Sequence, residues 1–305
     1  MMLQHSWHTD KKEFLSFSQK MTERRPHRRI IFLLLPFLSI AMSATAQDSL
    51  DPAPVKGQQT VRHTAYTLSY CERHEQPSWV SYLLTRDRAN AERPRKDSFK
   101  ADPSVRTGSA TPKDYTNSGY DKGHLAPNAD MRWSAQVQAE CFYMSNMSPQ
   151  THAFNAGLWK RLEELVRAWA VEYDSLYVVT GPLLHCDKLT HCTSLIRCDA
   201  SGHRDTLTRC IPLTDSIGEL ASIGQENRIS VPHYFYKVVL DKRRHQAIGF
   251  LVPHENRKGP LQAWVLPVDL LEEATGLDFY HELDDGLEEQ LEANVCIACW
   301  SWPDK

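Results

Sequence analysis

The stretch of sequence that decides the fold is SGYDKGHLAP at residues 118–127. In it, His124 follows a glycine and stands three residues after Asp121, so an acid could hold the imidazole in one tautomer while the ring meets a substrate. Two further segments follow, SNMSPQ at 145–150 and NAGLWKRLE at 155–163. Phosphodiester cleavage needs a base to activate water and cations to offset developing charge, and these segments offer both kinds of group.

The third segment opens a helix that we predict over 156–173 from apolar residues at three- and four-residue spacing. Asn155 stands at the N-cap position, and its amide oxygen is a hard, neutral ligand of the kind that Mg²⁺ accepts. Glu163 lies two turns further on and Arg167 one turn beyond it, on nearly the same face. Spacing alone leaves a plainer interpretation open, namely a surface histidine, a helix cap and a solvated helix acid.

Outside these segments, the pattern indicates an α+β class with a mostly antiparallel central sheet flanked by helices. A polar, proline-containing stretch at 86–119 predicts a long loop, and loops of this length are usually functional. The predicted strands are 60–70, 79–85, 142–147, 175–180, 229–240 and 246–252, and a second, short helix is expected at 267–275.

The first 46 residues have the pattern of a secretory signal peptide, with an arginine cluster, an apolar run at 30–42 and a small-residue site at 44–46. Met21 is then a candidate for the true start, and the alternative is an uncleaved membrane anchor. We expect a linker at 47–60, one domain at 61–285 and a C-terminal appendage at 286–305. This organisation predicts a secreted or periplasmic protein without stable membrane association after cleavage.

The charge balance argues against binding a polyanion through overall basicity. Without residues 1–46 the chain has 28 basic and 35 acidic residues, a net charge of −7. A local patch would have to serve instead, and the candidates within one short stretch are Arg86, Arg88, Arg93, Arg95, Lys96, Lys100 and Arg106.

The eight cysteines are an even number, which in an exported chain favours structural disulfides. The pairing cannot be derived from the sequence. A zinc site at 185–192 and a redox pair formed by Cys296 and Cys299 are the alternatives.

The three segments together resemble the DNA/RNA non-specific endonuclease family, which includes bacterial secreted nucleases and mitochondrial endonuclease G. The matches are DKGHLA at 121–126 to the family's Asp-Arg-Gly-His signature, residues 146–150 to Asn-x-Ser/Thr-Pro-Gln, and residues 155–163 to Asn-x-x-x-Trp-x-x-Leu-Glu. The similarity spans about residues 64–282. It implies a ββα-metal fold, in which a hairpin and a crossing helix frame the site.

The resemblance also implies roles for individual residues. His124 would be the general base, Asn155 the only direct protein ligand to Mg²⁺, and Glu163 would hold water beside the ion, with Mn²⁺ as an alternative ion. Asn146 would orient the site through His124 or its neighbours. The resemblance further implies Asp121 beside the base, Arg167 near the leaving group and Lys122 as a substrate contact. Arg95 would contact the scissile phosphate, and Arg93 is the alternative for that role.

Lys122 stands where the family signature has arginine. A lysine keeps the positive charge but loses the planar fork that binds phosphate through two hydrogen bonds. We therefore expect altered phosphate binding rather than loss of the chemistry.

The sequence thus predicts a Mg²⁺-dependent endonuclease that cuts DNA and RNA without sequence preference, leaves 5′-phosphate ends and could form a homodimer. Contacts to phosphate and metal carry no sequence information, and the chain shows no helix-turn-helix or zinc-finger pattern. The alternatives are a phosphodiesterase for small nucleotides, an inactive nucleic-acid-binding module, and a disulfide- or zinc-stabilised surface protein.

Overall fold

The structure is a computed structural model that describes residues 50–184, 189–198, 204–213 and 220–303, with 189–198 and 204–213 described by their backbone alone. The predicted signal peptide, Met21 and the proposed zinc segment at 185–192 therefore lie outside the described side chains. Residues 46–305 form one compact unit. In the described part of the chain, no helix has the length and apolar character needed to cross a membrane.

Antiparallel strands form the centre of the molecule. In chain order they are β1 (Gln59–Arg62), β2 (Tyr66–Cys71), β3 (Gln76–Thr85), β4 (Asp121–His124), β5 (Met147–Gln150), β6 (Ser175–Pro182), β7 (Leu189–Cys198), β8 (Arg204–Leu213), β9 (Ser222–Ile223), β10 (Ile229–Ser230), β11 (Tyr234–Asp241), β12 (Gln246–Pro253) and β13 (Val265–Leu266). Seven of them make one sheet in the order β1-β2-β3-β6-β11-β12-β13, and every pairing in it is antiparallel. The predicted sheet is confirmed.

Six α-helices and several 3₁₀ turns connect the strands. The α-helices are α1 (Arg86–Ala89), α2 (Ala135–Glu140), α3 (His152–Phe154), α4 (Lys160–Tyr173), α5 (Val268–Thr275) and α6 (Asp285–Glu292) in the described ranges. A π-helical turn, Asn155–Trp159, joins α3 to α4. The 3₁₀ turns are Pro112–Tyr115, Asn128–Asp130, Met144–Asn146, Leu261–Trp264 and Ile297–Cys299.

Both faces of the sheet are buried, because successive side chains of a strand point to opposite sides. In β11, Val239 packs in the core beneath α4, whereas Val238 packs in the core beneath α5 and α6. The apolar stripe of α4, which includes Leu162 and Trp169, fills the first core, and Leu271 of α5 fills the second. A strand buried on both faces must be nearly all apolar, which explains the sequence YFYKVVLD of β11.

Several predicted elements are corrected by the structure. The strands expected at 60–70 and 229–240 are each interrupted, which gives β1 and β2 in the first case and β10 and β11 in the second. The strand expected at 142–147 is wrong, because the side chain of Asn146 bonds the backbones of Ala126 and Cys141 and holds Met144–Asn146 as a 3₁₀ turn. Asn155 is not a helix cap, since its backbone is already helical at φ −56° and ψ −48°. The helix begins earlier, after Thr151, whose carbonyl accepts the amides of residues 154 and 155.

The C-terminal segment packs against α4 through tryptophans rather than through a disulfide. The Cys296–Cys299 disulfide closes a loop within the segment itself. Trp300 lies 4.5 Å from Trp169 between ring centroids, and Trp302 lies edge-on to the same ring at 5.2 Å. Aromatic burial therefore attaches this segment to the domain.

Candidate active site

A short hairpin and the helix after it carry most of the residues singled out from the sequence. β4 pairs with β5 in antiparallel register, with Gly123 opposite Ser148 and His124 opposite Met147. A Cβ on Gly123 would lie only 2.2 Å from Cδ of the buried Gln150, so the signature requires glycine here. The chain then turns at Thr151 into α3, the π-helical turn and α4, which gives the order strand, strand, helix.

His124 ends β4 in an apolar setting. It is 9% exposed, and its Nε2 is buried without a hydrogen-bond partner. The rings of Phe142 and Phe99 lie 5.0 and 5.7 Å from the imidazole between centroids. Burial, assisted by the charge of Arg95, lowers the pKa of His124 from 6.5 to about 3. The imidazole is therefore neutral at physiological pH.

Asn146 holds the backbone that follows His124. Its Oδ1 accepts the amide of Ala126 at 2.9 Å, and its Nδ2 donates to the carbonyls of Ala126 and Cys141 at 2.9 and 2.8 Å. Its own carbonyl accepts the amide of Leu125. Asn146 is fully buried, so it supports the end of β4 through backbone hydrogen bonds.

Asp121 lies against the helix rather than against the imidazole. Its Oδ2 accepts hydrogen bonds of 2.9 Å from Nδ2 of Asn155 and from Nδ1 of His152. Residues three apart in a strand point to opposite faces, which separates the Asp121 carboxylate from the His124 ring. The expectation that Asp121 holds the tautomer of His124 is thus corrected.

The geometry of Asn155 is suited to a metal ion. Because Nδ2 donates to Asp121, the amide is oriented and its Oδ1 is left to act as a ligand. Asn155 is half-buried and lies two residues before the kink at Gly157. A neutral, fixed amide oxygen beside an acid fits Mg²⁺, which takes few protein ligands and keeps several waters.

The π-helical turn changes the helix register that the sequence predicted. Gly157 has φ −110° and ψ −105°, which is not helical, and a Cβ there would lie 2.3 Å from Oδ1 of Asn256. This residue kinks the chain between α3 and α4. The angle between Asn155 and Glu163 therefore differs from the value that regular 3.6-residue turns would give.

Glu163 belongs to a charged network between α4 and the sheet. Burial raises the pKa of Glu163, and the cations of Lys237 and Arg167 oppose the rise. Arg167 donates to Oδ1 of Asp130 at 3.0 Å, and the hydroxyl of Tyr82 donates to the other oxygen at 2.9 Å. Arg167 is thus tied to a buried carboxylate, with its side chain 18% exposed.

Lys237 is the residue of this network that the sequence analysis missed as a candidate. It is fully buried in β11, and its Nζ has no hydrogen-bond partner. The ammonium lies 4.7 Å from the ring centroid of Trp159, whose Nε1 donates to the carbonyl of His124 at 3.2 Å. Burial lowers the pKa of Lys237, and Glu163 opposes the fall. A lysine within an otherwise apolar strand was the signal available in the sequence.

His254 was also missed, and it anchors the start of the helix. Its Nε2 accepts the amide of Thr151 and its Nδ1 donates to the carbonyl of Pro232, each at 2.8 Å. The partners assign the tautomer, since an amide only donates and a carbonyl only accepts.

The long loop brings part of the predicted basic patch to the hairpin. The guanidinium of Arg95 lies 5.5 Å from the Phe142 ring and forms a 2.5 Å ion pair with Asp97. Nζ of Lys122 lies 5.3 Å from the ring of Phe99, which also borders His124. Arg93 is exposed in the same loop.

Other members of that patch are directed elsewhere. Arg86 pairs with Asp174 beyond the end of α4, and Arg106 bonds Gln59 at the edge of the sheet. The seven basic residues therefore do not form a single surface around His124.

Comparison with known proteins supports the arrangement. Residues 50–286 match the model of the DNA/RNA non-specific endonuclease family. Nuclease EXOG of Mus musculus is 32% identical over 80% of this chain and 62% of its own length. Human endonuclease G is 31% identical over 70% of this chain and 67% of its own length. The chain thus spans about two thirds of the length of these curated relatives. A chain from the EndoG/EndoGI complex, a structure that concerns EndoG inhibition, matches with a TM-score of 0.59 at 29% identity, covering 76% of this chain and 88% of its own.

The relatives correct the expected location. Nuclease EXOG, endonuclease G and nuclease 1 of Schizosaccharomyces pombe are all mitochondrial proteins by name. These names contradict a secreted or periplasmic protein and point to mitochondria instead. An arginine-rich N-terminal segment occurs in mitochondrial transit peptides as well as in secretory signals, which explains the error.

Proposed function

Because the chain belongs to the DNA/RNA non-specific endonuclease family, we propose that it is a Mg²⁺-dependent endonuclease that hydrolyses DNA and RNA without sequence preference and leaves 5′-phosphate ends. The observation that carries the proposal is the buried, neutral His124 with its unpartnered Nε2, on a hairpin that also holds Asn155 through Asp121. We assign the catalytic domain to residues 61–285.

In this proposal, the imidazole of His124 removes the proton from the attacking water. A base must be unprotonated before it accepts a proton, and the lowered pKa keeps His124 in that form at neutral pH. Phe142 and Phe99 exclude bulk water from one side of the ring. Asn146 keeps the end of β4 in place through the backbone of Ala126.

Asn155 would hold Mg²⁺ through Oδ1, oriented by Asp121. The ion would supply charge to offset the negative charge that develops on the phosphate and its leaving oxygen. Glu163 would accept hydrogen bonds from water beside that site, since a buried carboxylate next to Lys237 and Arg167 stays available as an acceptor.

Arg95 and Lys122 are proposed to contact the phosphate backbone, because both lie beside rings that border His124. Arg95 would exchange its exposed ion pair with Asp97 for a phosphate, and exposed pairs of this kind cost little to break. Arg93 is the alternative in the same loop. Contacts of this type carry no sequence information, which accounts for the proposed lack of specificity.

The test is digestion of supercoiled plasmid and of single-stranded RNA by purified protein, with Mg²⁺ or with EDTA, beside His124→Ala. The proposal expects Mg²⁺-dependent degradation of both substrates, 5′-phosphate ends, and loss of activity in the variant; Mn²⁺ is the second ion to try. Intact substrates with folded wild-type protein and either ion would refute it. Light scattering of the same preparation measures whether the chain is the homodimer that the resemblance implied.

A further inference from the structure

Three carboxylates converge on the side of the sheet opposite α4. Asp269 and Glu272 are one turn apart on α5, and Glu292 is the last residue of α6. One oxygen from each lies within 4.8 Å of the others. The two helices pack together over the core that contains Leu271 and Leu291, whereas α4 belongs to the other core and Met147 of the hairpin to a third apolar cluster. The cluster is therefore separate from the candidate active site.

A buried and unpartnered oxygen points into this cluster. Glu292 is only 5% exposed, yet its Oε1 has no hydrogen-bond partner. The hydroxyl of Tyr280, which is 1% exposed and whose pKa is raised by burial and by the charges of Glu292 and Glu272, also has none. Within the described part of the chain, none of the three carboxylates pairs with a lysine, arginine or histidine. A buried carboxylate without a partner costs free energy, so something must compensate it.

The local electrostatics are those of uncompensated negative charge. Burial, together with Glu272, Glu288 and Asp269, raises the pKa of Glu292 to about 8. Burial also raises the pKa of Glu272 to about 7, with only partial relief from the amide of Phe279, which donates to Oε1 at 2.5 Å. Two occupants can relieve this charge, a shared proton or a bound cation.

We propose that Asp269, Glu272 and Glu292 form a binding site for a divalent cation of the calcium type that joins α5 to α6. The ligands are all oxygens, as Ca²⁺ requires, and nitrogen or sulfur ligands that would favour zinc are absent from the cluster. Oxygens on opposite sides of one Ca²⁺ are about 4.8 Å apart, so three oxygens that all lie within 4.8 Å of one another can reach a single ion. Asp269 is exposed and gives the ion a route from solvent, and water completes the coordination.

The proposal does not rest on nuclease activity, so binding is the readout. The full chain carrying Asn155→Ala, which removes the candidate Mg²⁺ ligand, is titrated calorimetrically with CaCl₂, and its melting temperature is followed. One Ca²⁺ per chain and a rise of about 5 °C at saturation are expected. No heat of binding and no thermal shift would overturn the proposal.

Variants separate a cation site from a shared proton. Glu292→Gln keeps the shape of the side chain and should abolish the thermal shift. Asp269 is exposed, so Asp269→Asn should fold normally. Without Ca²⁺ this variant should have a higher melting temperature, because the repulsion between the carboxylates is relieved. It should bind Ca²⁺ at least about tenfold more weakly. Glu282→Gln, an exposed acid in the turn before α6, is the control and should bind like the parent. Unchanged binding in both Glu292→Gln and Asp269→Asn would place the ion elsewhere and overturn the assignment.

Discussion

The amide Nδ2 of Asn155 donates a 2.9 Å hydrogen bond to Oδ2 of Asp121, which connects the helix after the hairpin to the first hairpin strand. This bond decides which atom of the amide is offered as a ligand. Asp121 thereby positions Asn155, whereas His124 is held by its own backbone contacts.

Asp121→Ala should weaken the response to Mg²⁺. Without the carboxylate the Asn155 amide can rotate, and loss of a group that orients a ligand typically costs about 10- to 100-fold in metal affinity. The measurement is nuclease rate against Mg²⁺ concentration, where the half-saturating concentration should rise while the rate at saturation falls less. Glu255→Gln, which removes an exposed acid paired with Arg257, is the control. A parent-like Mg²⁺ curve for Asp121→Ala would contradict the positioning role.

Gly123→Ala should destabilise the domain by about 1–3 kcal/mol, the usual cost of overpacking a buried site. The new Cβ would meet Cδ of Gln150 at 2.2 Å, and Gln150 is fully buried and has no room to retreat. Chemical denaturation measures the effect. Gly286→Ala, in the first turn of α6 with space around its Cβ, should be neutral or slightly stabilising, and equal destabilisation by both changes would refute the steric argument.

Lys237→Met should lower kcat by about tenfold in a domain that still folds. Methionine fills the volume of the buried side chain, and removing an ammonium without a hydrogen-bond partner recovers its desolvation cost. Glu163 then loses the cation that most strongly opposes its protonation. Melting temperature and steady-state kinetics are measured together, with the exposed Lys113→Met as control. An unchanged kcat would show that Lys237 has a structural role alone.

Lys122→Arg should retain nuclease activity, and Lys122→Met should weaken substrate binding. Arginine keeps the charge and restores a fork that can bind phosphate through two hydrogen bonds, whereas methionine removes the charge. The expected change is in KM and in the salt dependence, which should become shallower for Lys122→Met. A folded but inactive Lys122→Arg variant would show that Lys122 does not occupy the place of the signature arginine.

The His124 imidazole should not titrate between pH 5.5 and 8. Burial lowers its pKa to about 3, whereas the same group in the unfolded chain titrates near 6.5. Between these values the unfolded state binds more protons, so the contribution of neutral His124 to stability is present above pH 6.5 and is lost as the pH falls towards 3. NMR of the ring proton in folded and urea-unfolded protein measures both states. A folded-state midpoint near 6.5 would contradict the buried placement.

The sequence by itself determined the family and the mostly antiparallel sheet, because these follow from short motifs and from local periodicity, and the family resemblance implied the ββα order. The segments around His124, Asn146, Asn155 and Glu163 were found from the sequence, since each motif is contiguous in the chain. Periodicity also located the apolar face of α4.

Only the tertiary structure decided how these residues are connected. The partner of Asp121 is 34 residues away, and the network around Glu163 draws Tyr82 and Lys237 from strands distant in the chain. The π-helical turn and the convergence of Glu292 with α5 likewise have no local signal. Such contacts depend on the packing of helices and strands, which brings together residues that are far apart in the sequence. They also depend on burial, because an unpaired charge costs free energy only when it is removed from water.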